Sequence, residues 1–258
     1  MRKVELILDF PITTKSLEEC ISDIVEWIER GERRKYFVCA NPHSLEVART
    51  DPIFREAIEK ADLVVPDGIG IVLASKILGG SIRRRITGYD IFYGVSKELN
   101  KKKSYSYFFL GSTEKALQKI RERMEKDFHN IRIVGTYSPP FKSEFSEEEN
   151  RLILEMINKV KPDVLWLGMT APKQEKWIYK NKDKLDVKFL GPIGAVFDFY
   201  AGIKKRPHPV FQKMGLEWFV RFLMEPYRLW ERNIVSNPKF LLRIIHQYFS
   251  QNEVRRKE

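Results

Sequence analysis

The chain has 258 residues, 43% of them hydrophobic and 31% charged, a composition that builds an ordinary core of about one large domain and excludes a disordered or fibrous chain. No CxxC spacing joins Cys20 and Cys39, which fits a reducing cytoplasm. The opening MRKVELILDFP lacks the apolar core and small-residue cleavage site of a secretory leader, and no stretch offers about 18 uninterrupted apolar residues, so no membrane-spanning helix is expected. The net charge of +11 points to acidic partners such as phosphates, a membrane surface or nucleic acid.

Ser16 and Glu19 form a capping box, and Leu17, Cys20, Ile21, Ile24, Val25 and Ile28 follow at helical spacing up to Gly31, which predicts an amphipathic helix. Residues 36–39 make a short apolar run of strand length. Asp51-Pro52 then opens a helix carrying Phe54, Ala57 and Ile58, and residues 63–65 give the next strand. A strand at 107–110 runs into Gly111-Ser112 and a helix over about 113–128, followed by a strand at 131–134. A second capping box, Ser146 with Glu149, starts a helix through Leu152, Ile153, Met156 and Ile157. After it come a strand at 164–167, a short helix at about 173–181 and a strand at 187–190.

Strands alternating with helices of this length require βαβ crossovers. The expected fold is therefore α/β: a mostly parallel, Rossmann-like sheet with helices on both faces over residues 1–202. Beyond residue 202 only helical patterns remain, introduced by the basic, proline-rich Lys204-Lys205-Arg206-Pro207-His208-Pro209. Residues 203–258 are expected to form a helical appendage. They hold twelve Lys or Arg against five Glu and no Asp, whereas the preceding 202 residues hold 34 basic against 30 acidic. The excess charge is thus concentrated where Trp218, Phe219, Phe222, Tyr227 and Trp230 also cluster, as in a basic amphipathic surface element.

In parallel sheets ligands bind beyond the carboxyl ends of the strands. The residues there are Asn41-Pro42-His43-Ser44, Pro66-Asp67-Gly68-Ile69-Gly70, Gly111-Ser112, Gly168 to Gln174 and Gly191-Pro192-Ile193-Gly194. Such glycine-rich, polar ends let the backbone approach a ligand and place helix N-termini near phosphates, which suits a nucleotide diphosphate. Gly68-x-Gly70 lacks the third glycine of the dinucleotide fingerprint, and no GxxxxGK(S/T) loop occurs, which argues against a nicotinamide-dependent oxidoreductase and against ATP. Asp67 stands at the mouth of the sheet, where an Asp-Gly turn or a helix cap accounts for it as well as a catalytic role does. For Asn41 and His43, capping of the next helix is the stronger account. Gln174 sits in Ala171-Pro172-Lys173-Gln174-Glu175-Lys176-Trp177, where a proline-opened helix with solvated polar residues competes equally with a binding role.

No DxD pair and no His/Cys/Asp cluster with ligand spacing occurs in the sequence, so no metal and no cofactor are expected. Arg, Lys and backbone donors would then have to neutralise a leaving diphosphate. Arg221, Arg228 and Arg232 share one side of a helix if it runs unbroken past Pro226. Pairing with Glu217, Glu225 and Glu231 along a solvated face is the simpler account of that spacing. The basic, aromatic tail also raises nucleic-acid binding, but no RRM, KH or helix-turn-helix pattern accompanies it. A homo-oligomer interface is a further reading of the appendage.

The run Val65-Pro66-Asp67-Gly68-Ile69-Gly70 resembles the VPDGxG motif of the WecG/TagA/CpsF glycosyltransferases. Asn41-Pro42-His43-Ser44, Arg85-Ile86-Thr87-Gly88-Tyr89-Asp90, Leu167-Gly168 with the APKQEKW segment at 171–177, Gly194 to Gly202, Gly215-Leu216-Glu217-Trp218, Arg221, Glu225-Pro226 and Arg228 follow in that family's order. The resemblance covers nearly the whole chain. It implies inverting transfer of a sugar such as N-acetylmannosamine from a UDP-sugar donor to a polyprenyl-diphosphate-linked acceptor, with no cofactor. It also implies an appendage that meets an anionic membrane surface at the inner face of the cell membrane and completes the active site. By similarity, Asp67 is the general base, with Asn41 and Cys39 beside it in the catalytic set. The implied substrate-binding set is Gly68, Arg85, Asp90, Gly111, Lys173, Gln174, Gly194, Arg221, Arg228 and Arg232, with Gln174 on the donor and the tail arginines on diphosphate. Cys39 departs from the pattern, since many relatives carry Thr there, and a donor held by that Thr would be held differently here.

Overall fold

The strand at 4–7 lacks the usual turn residues after it, yet the chain reverses there. In the computed structural model, which describes residues 3–102, 104–205, 207–208, 210–211 and 216–255, Leu8 and Asp9 both take positive φ, 51° and 69°. Two such residues make the tight reversal that matches strand twist. They join β1 (Val4–Ile7) to β2 (Phe10–Thr13) as an antiparallel hairpin, which the sequence analysis did not anticipate.

The chain then alternates α1 (Leu17–Glu29), β3 (Lys35–Ala40), α2 (Pro42–Ala48), α3 (Pro52–Glu59), β4 (Leu63–Pro66), α4 (Ile69–Ile77), α5 (Gly88–Asn100), β5 (Tyr105–Gly111) and α6 (Glu114–Asp127). It continues through β6 (Ile131–Tyr137), α7 (Glu147–Val160), β7 (Val164–Gly168), α8 (Lys173–Asn181), β8 (Phe189–Pro192) and α9 (Val196–Tyr200). Both expected capping boxes form: Ser16 and Ser146 accept from the backbone N–H of Glu19 and Glu149, whose carboxylates reach back to the cap. A third, Thr87 with Asp90, starts α5.

β3 to β8 pair in parallel in the order β4-β3-β8-β7-β5-β6. Both faces are covered, and the strand residues divide between them by the period of two. Tyr36, Val38, Phe108, Leu110, Leu165 and Leu167 enter one buried cluster with α2, α3, α8 and the hairpin. Phe37, Tyr107, Phe109, Val164 and Trp166 enter the other, against α1, α5 and α6. Phe92 of α5 meets Trp166 and Tyr200 edge to face, with centroids 5.2 and 5.0 Å apart. The order reverses in the middle: β3 leads outward to β4, while β5 begins on the far side and β7 and β8 fill the gap. The crevice of such a sheet opens where the order reverses, at its carboxyl edge.

After α9 come α10 (Glu217–Met224), α11 (Pro226–Trp230), a π-helical turn over Glu231–Ser236 and α12 (Asn237–Arg255). The condition under which Arg221, Arg228 and Arg232 would share one side of a helix is not met: the run breaks at Glu225, whose φ is −138° and ψ 60°. Pro226 explains this, because its ring pushes the preceding residue out of helical backbone and removes a donor. α12 returns to the sheet: Phe240 and Ile244 are buried in the cluster with α2 and the hairpin. Arg243 pairs with Glu46 at 3.1 Å, and the Gln247 side chain accepts from Leu8 N at 2.9 Å. Its other side is apolar and exposed at Leu241, Leu242, Ile245 and Phe249, as are Leu223, Met224, Tyr227 and Trp230. Among the described residues no helix is long and apolar enough to cross a membrane.

Candidate active site

Each parallel strand ends at the same edge, so the polar residues that follow β3, β4, β5, β7 and β8 meet around one cavity of about 2410 Å³. That exceeds the roughly 300–1,000 Å³ of a single small-molecule site. Cys39, Asn41, Asp67, Gly68, Arg85 and Gly111 line it, and so do Lys173, Gln174, Gly194, Arg221 and Arg232. Two expected site residues stand apart. Asp90 is not in the lining, because its carboxylate caps α5 by accepting from Thr87 N at 2.9 Å and Thr87 Oγ1 at 2.8 Å. The Arg228 side chain and Gly215 lie outside the described residues, as do Arg206 and Pro209 of the proline-rich segment.

Asp67 is held rigidly by its backbone. Its N–H donates to Ala40 O at 2.7 Å, extending the β3–β4 ladder, and the preceding Pro66 carbonyl accepts from Ile86 N at 2.8 Å. The side chain is half-buried in the cavity wall. Withdrawal from water raises its pKa above the ordinary carboxylate value, and the nearby Glu217 adds to this; the positive fields of Arg232, Arg85 and Arg221 pull it back. These three arginines come from the loop between α4 and α5, from α10 and from the π turn, so chain segments far apart in sequence converge on one carboxylate. Arg85 also pairs with Glu217 at 2.7 Å, joining the sheet edge to α10, and Arg221 lies 5.2 Å over the Phe199 ring. Glu225 pairs with Lys204 at 3.0 Å.

Asn41 behaves as the capping account required. Its Oδ1 accepts from Ser44 N at 3.0 Å and starts α2. His43 shares a 2.8 Å hydrogen bond with Ser236 of the π turn, and burial, reinforced by Arg232, lowers its pKa, so the ring is neutral at pH 7. The Cys39 thiol is pushed well above its usual range by burial and by the nearby Asp67, Glu175 and Asp90. It therefore remains a neutral thiol. Lys173 serves the rim: its Nζ donates to Lys142 O at 2.6 Å and sits 3.8 Å over the Phe145 ring, holding the loop after β6 across the cavity mouth.

Two glycines are required by geometry. A Cβ at Gly111 would come within 2.7 Å of the Gly168 backbone, so β5 and β7 could not approach at their ends. Gly194 has φ +51°, and its N–H donates to Gln174 Oε1 at 3.1 Å. Gln174 Nε2 then donates to Glu175 Oε1 at 2.9 Å. Glu175 is a cavity residue that sequence reasoning passed over within its own motif; a charged residue in a short helix reads as solvated, yet it is only 3% exposed. Burial pushes its carboxyl up to about 7, against the opposing pull of Gln174 and of its own backbone N–H. Among the described residues no group of three or more His, Cys, Asp or Glu is arranged to hold a metal ion.

Comparison with known proteins places these features. Residues 5–254 match the glycosyl transferase WecG/TagA/CpsF family. A relative from Bacillus spizizenii, named N-acetylglucosaminyldiphosphoundecaprenol N-acetyl-beta-D-mannosaminyltransferase, is 31% identical over 210 residues, covering 81% of this chain and 78% of the relative. Proteins of the same name from Bacillus subtilis and Staphylococcus aureus are each 28% identical, covering 80% and 94% of this chain and 77% and 92% of theirs. With its parallel sheet, its strand-end cavity and a match over almost its full length, the chain belongs to the WecG/TagA/CpsF family of glycosyl transferases.

Proposed function

We propose that this chain transfers an N-acetylmannosaminyl group, with inversion and without a metal, from a UDP-linked donor to a sugar carried on a polyprenyl diphosphate. The observation that carries the reading is Asp67: a rigidly placed, partly desolvated carboxylate facing Arg85, Arg221 and Arg232 in one cavity. In this mechanism the acceptor hydroxyl oxygen attacks the anomeric carbon and its proton passes to Asp67. The bond from that carbon to the diphosphate oxygen breaks, and UDP leaves with the electron pair. Arg221 and Arg232 offset the charge that develops on it, a stabilisation strongest in a site screened from water. Asn41 supports this as the cap that fixes α2 rather than by touching the reacting atoms, and Gln174 faces the donor.

The cavity volume supports room for two substrates. We further assign residues 1–202 to a catalytic core and residues 203–258 to an appendage that rests on an anionic leaflet through Leu223, Met224, Tyr227, Trp230, Leu242 and Phe249, all exposed. A lipid-linked acceptor would then meet the cavity at the membrane surface. The test is to incubate the protein with UDP-N-acetylmannosamine and an N-acetylglucosaminyl-diphospho-prenyl acceptor and weigh the lipid product. A gain of one N-acetylhexosamine with matching release of UDP is expected; UDP release without a heavier lipid would reject the acceptor assignment, and neither would reject the reading.

A further inference from the structure

Gln174 and Glu175 are ordered relative to each other by chemistry that permits one arrangement. The Gly194 N–H can only donate, so it must face the carboxamide oxygen, as it does at 3.1 Å. That turns the Gln174 NH2 toward Glu175, whose Oε1 accepts at 2.9 Å. One N–H of the carboxamide then remains beyond these two bonds. The second carboxyl oxygen, Glu175 Oε2, is buried and has no hydrogen-bond partner among the described residues. Both side chains line the cavity, at 5% and 3% exposure. A buried carboxyl oxygen without a partner is costly and needs a reason.

The position supplies one. Asp67 is fixed at the end of β3 by its N–H on Ala40 O, and it lines one cavity with Cys39 of the same strand and with Glu175. In the proposed reaction the sugar being transferred must place its anomeric carbon beside the acceptor hydroxyl that Asp67 deprotonates. Glu175 lines the same cavity, within which the ring of that sugar must lie. A hydroxyl both donates and accepts, so it answers an unpaired acceptor and a spare N–H side by side, whereas a phosphate, having no donor, would be repelled by the carboxylate.

We propose that Glu175 is a specificity-determining residue that accepts a hydrogen bond from a hydroxyl of the transferred sugar through Oε2 while its Oε1 holds the Gln174 amide in register for the same group. This rests on the reading of the site as a sugar-nucleotide transferase centre. A site built to hydrogen-bond a hydroxyl rejects the analogue that lacks it, because its own buried group is left unpaired.

The experiment compares UDP-N-acetylmannosamine with its singly deoxygenated analogues in the full-length wild type, Glu175→Gln and Glu175→Ala, with thermal melts confirming that each variant is folded. Wild type is expected to lose roughly tenfold to a hundredfold in kcat/KM with one of the analogues. In Glu175→Ala that analogue should be used about as well as the parent sugar, because the discriminating acceptor is gone. Glu175→Gln, with an altered acceptor, should discriminate less than wild type. The proposal is overturned if the variants discriminate among the analogues as wild type does, or if wild type discriminates against none of them. Calorimetric binding of the same nucleotides without acceptor gives the same comparison independently of turnover. Loss of all transfer by wild type with donor binding intact would therefore count against the reaction assignment, not against Glu175.

Discussion

Replacing Glu175 by Gln should stabilise the protein, by an amount that grows as pH rises from about 4.5 to about 7 and then stays constant. The Glu175 carboxyl ionises near 7 in the folded chain but near an ordinary glutamate value, about 4.3, once the chain unfolds. Between those values the native state holds a proton that the unfolded state has released. Stability therefore falls as pH rises from about 4.5 to about 7 and levels off above it. The cost at pH 8 is on the order of 3 kcal/mol, which for a chain of this size corresponds to a melting-point difference of roughly 6 to 12 °C. Gln keeps an acceptor for Gln174 and never ionises. Differential scanning calorimetry of both proteins from about pH 4 to pH 8.5 should show nearly coincident melting at about pH 4, a gain for Glu175→Gln that widens between about pH 4.5 and about 7, and a constant gain above that. A gain independent of pH, or none at pH 8, would refute the inference that a buried carboxylate is the cause.

Transfer should weaken on the acid side at a higher pH than an exposed aspartate would produce, because Asp67 must be ionised to accept a proton and its pKa is raised by desolvation. The pH profile of kcat checks this, and a profile flat down to pH 4 would contradict it. Gly194→Ala should cost about 1–2 kcal/mol through its φ of +51° and, because its Cβ would crowd the Met169 carbonyl oxygen at 3.1 Å and shift the N–H that Gln174 accepts from, should raise KM for the donor; urea titration with steady-state kinetics reads both. Leu223→Glu with Leu242→Glu, both on exposed sites, should abolish sedimentation with anionic vesicles and leave melting within about 1 kcal/mol of wild type. Unchanged vesicle binding would refute the membrane assignment, and loss of a solution dimer would point to a second copy on that face.

The elements legible in the sequence were those whose signals are local. Ser16 with Glu19, Ser146 with Glu149, and Pro172 ahead of Lys173 marked helix starts that the structure reproduces. The helix α4 was not legible, because IGIVLASKI is apolar nearly throughout and carries no period. The hairpin was missed because Leu8 and Asp9 adopt positive φ without glycine or asparagine. α5 begins at Thr87 with Asp90, a capping box that is present in the sequence but reads there only as part of the motif at residues 85–90 and not as a helix start. Strand ends located the cavity, since a parallel sheet delivers them to one edge whatever lies between. What they could not give was orientation. Whether Glu217 faces Arg85 or an arginine one turn away on its own helix depends on where α10 lands, and whether Glu175 faces water depends on β8 supplying Gly194. Both are settled by tertiary packing between segments distant in the chain.

The central claim is that Asp67 removes the proton of the attacking hydroxyl. The most direct measurement is the single-turnover rate of Asp67→Asn beside its calorimetric affinity for UDP-N-acetylmannosamine. The account predicts affinity within a few-fold of wild type and transfer slowed by roughly a hundredfold or more. Transfer at the wild-type rate would contradict it.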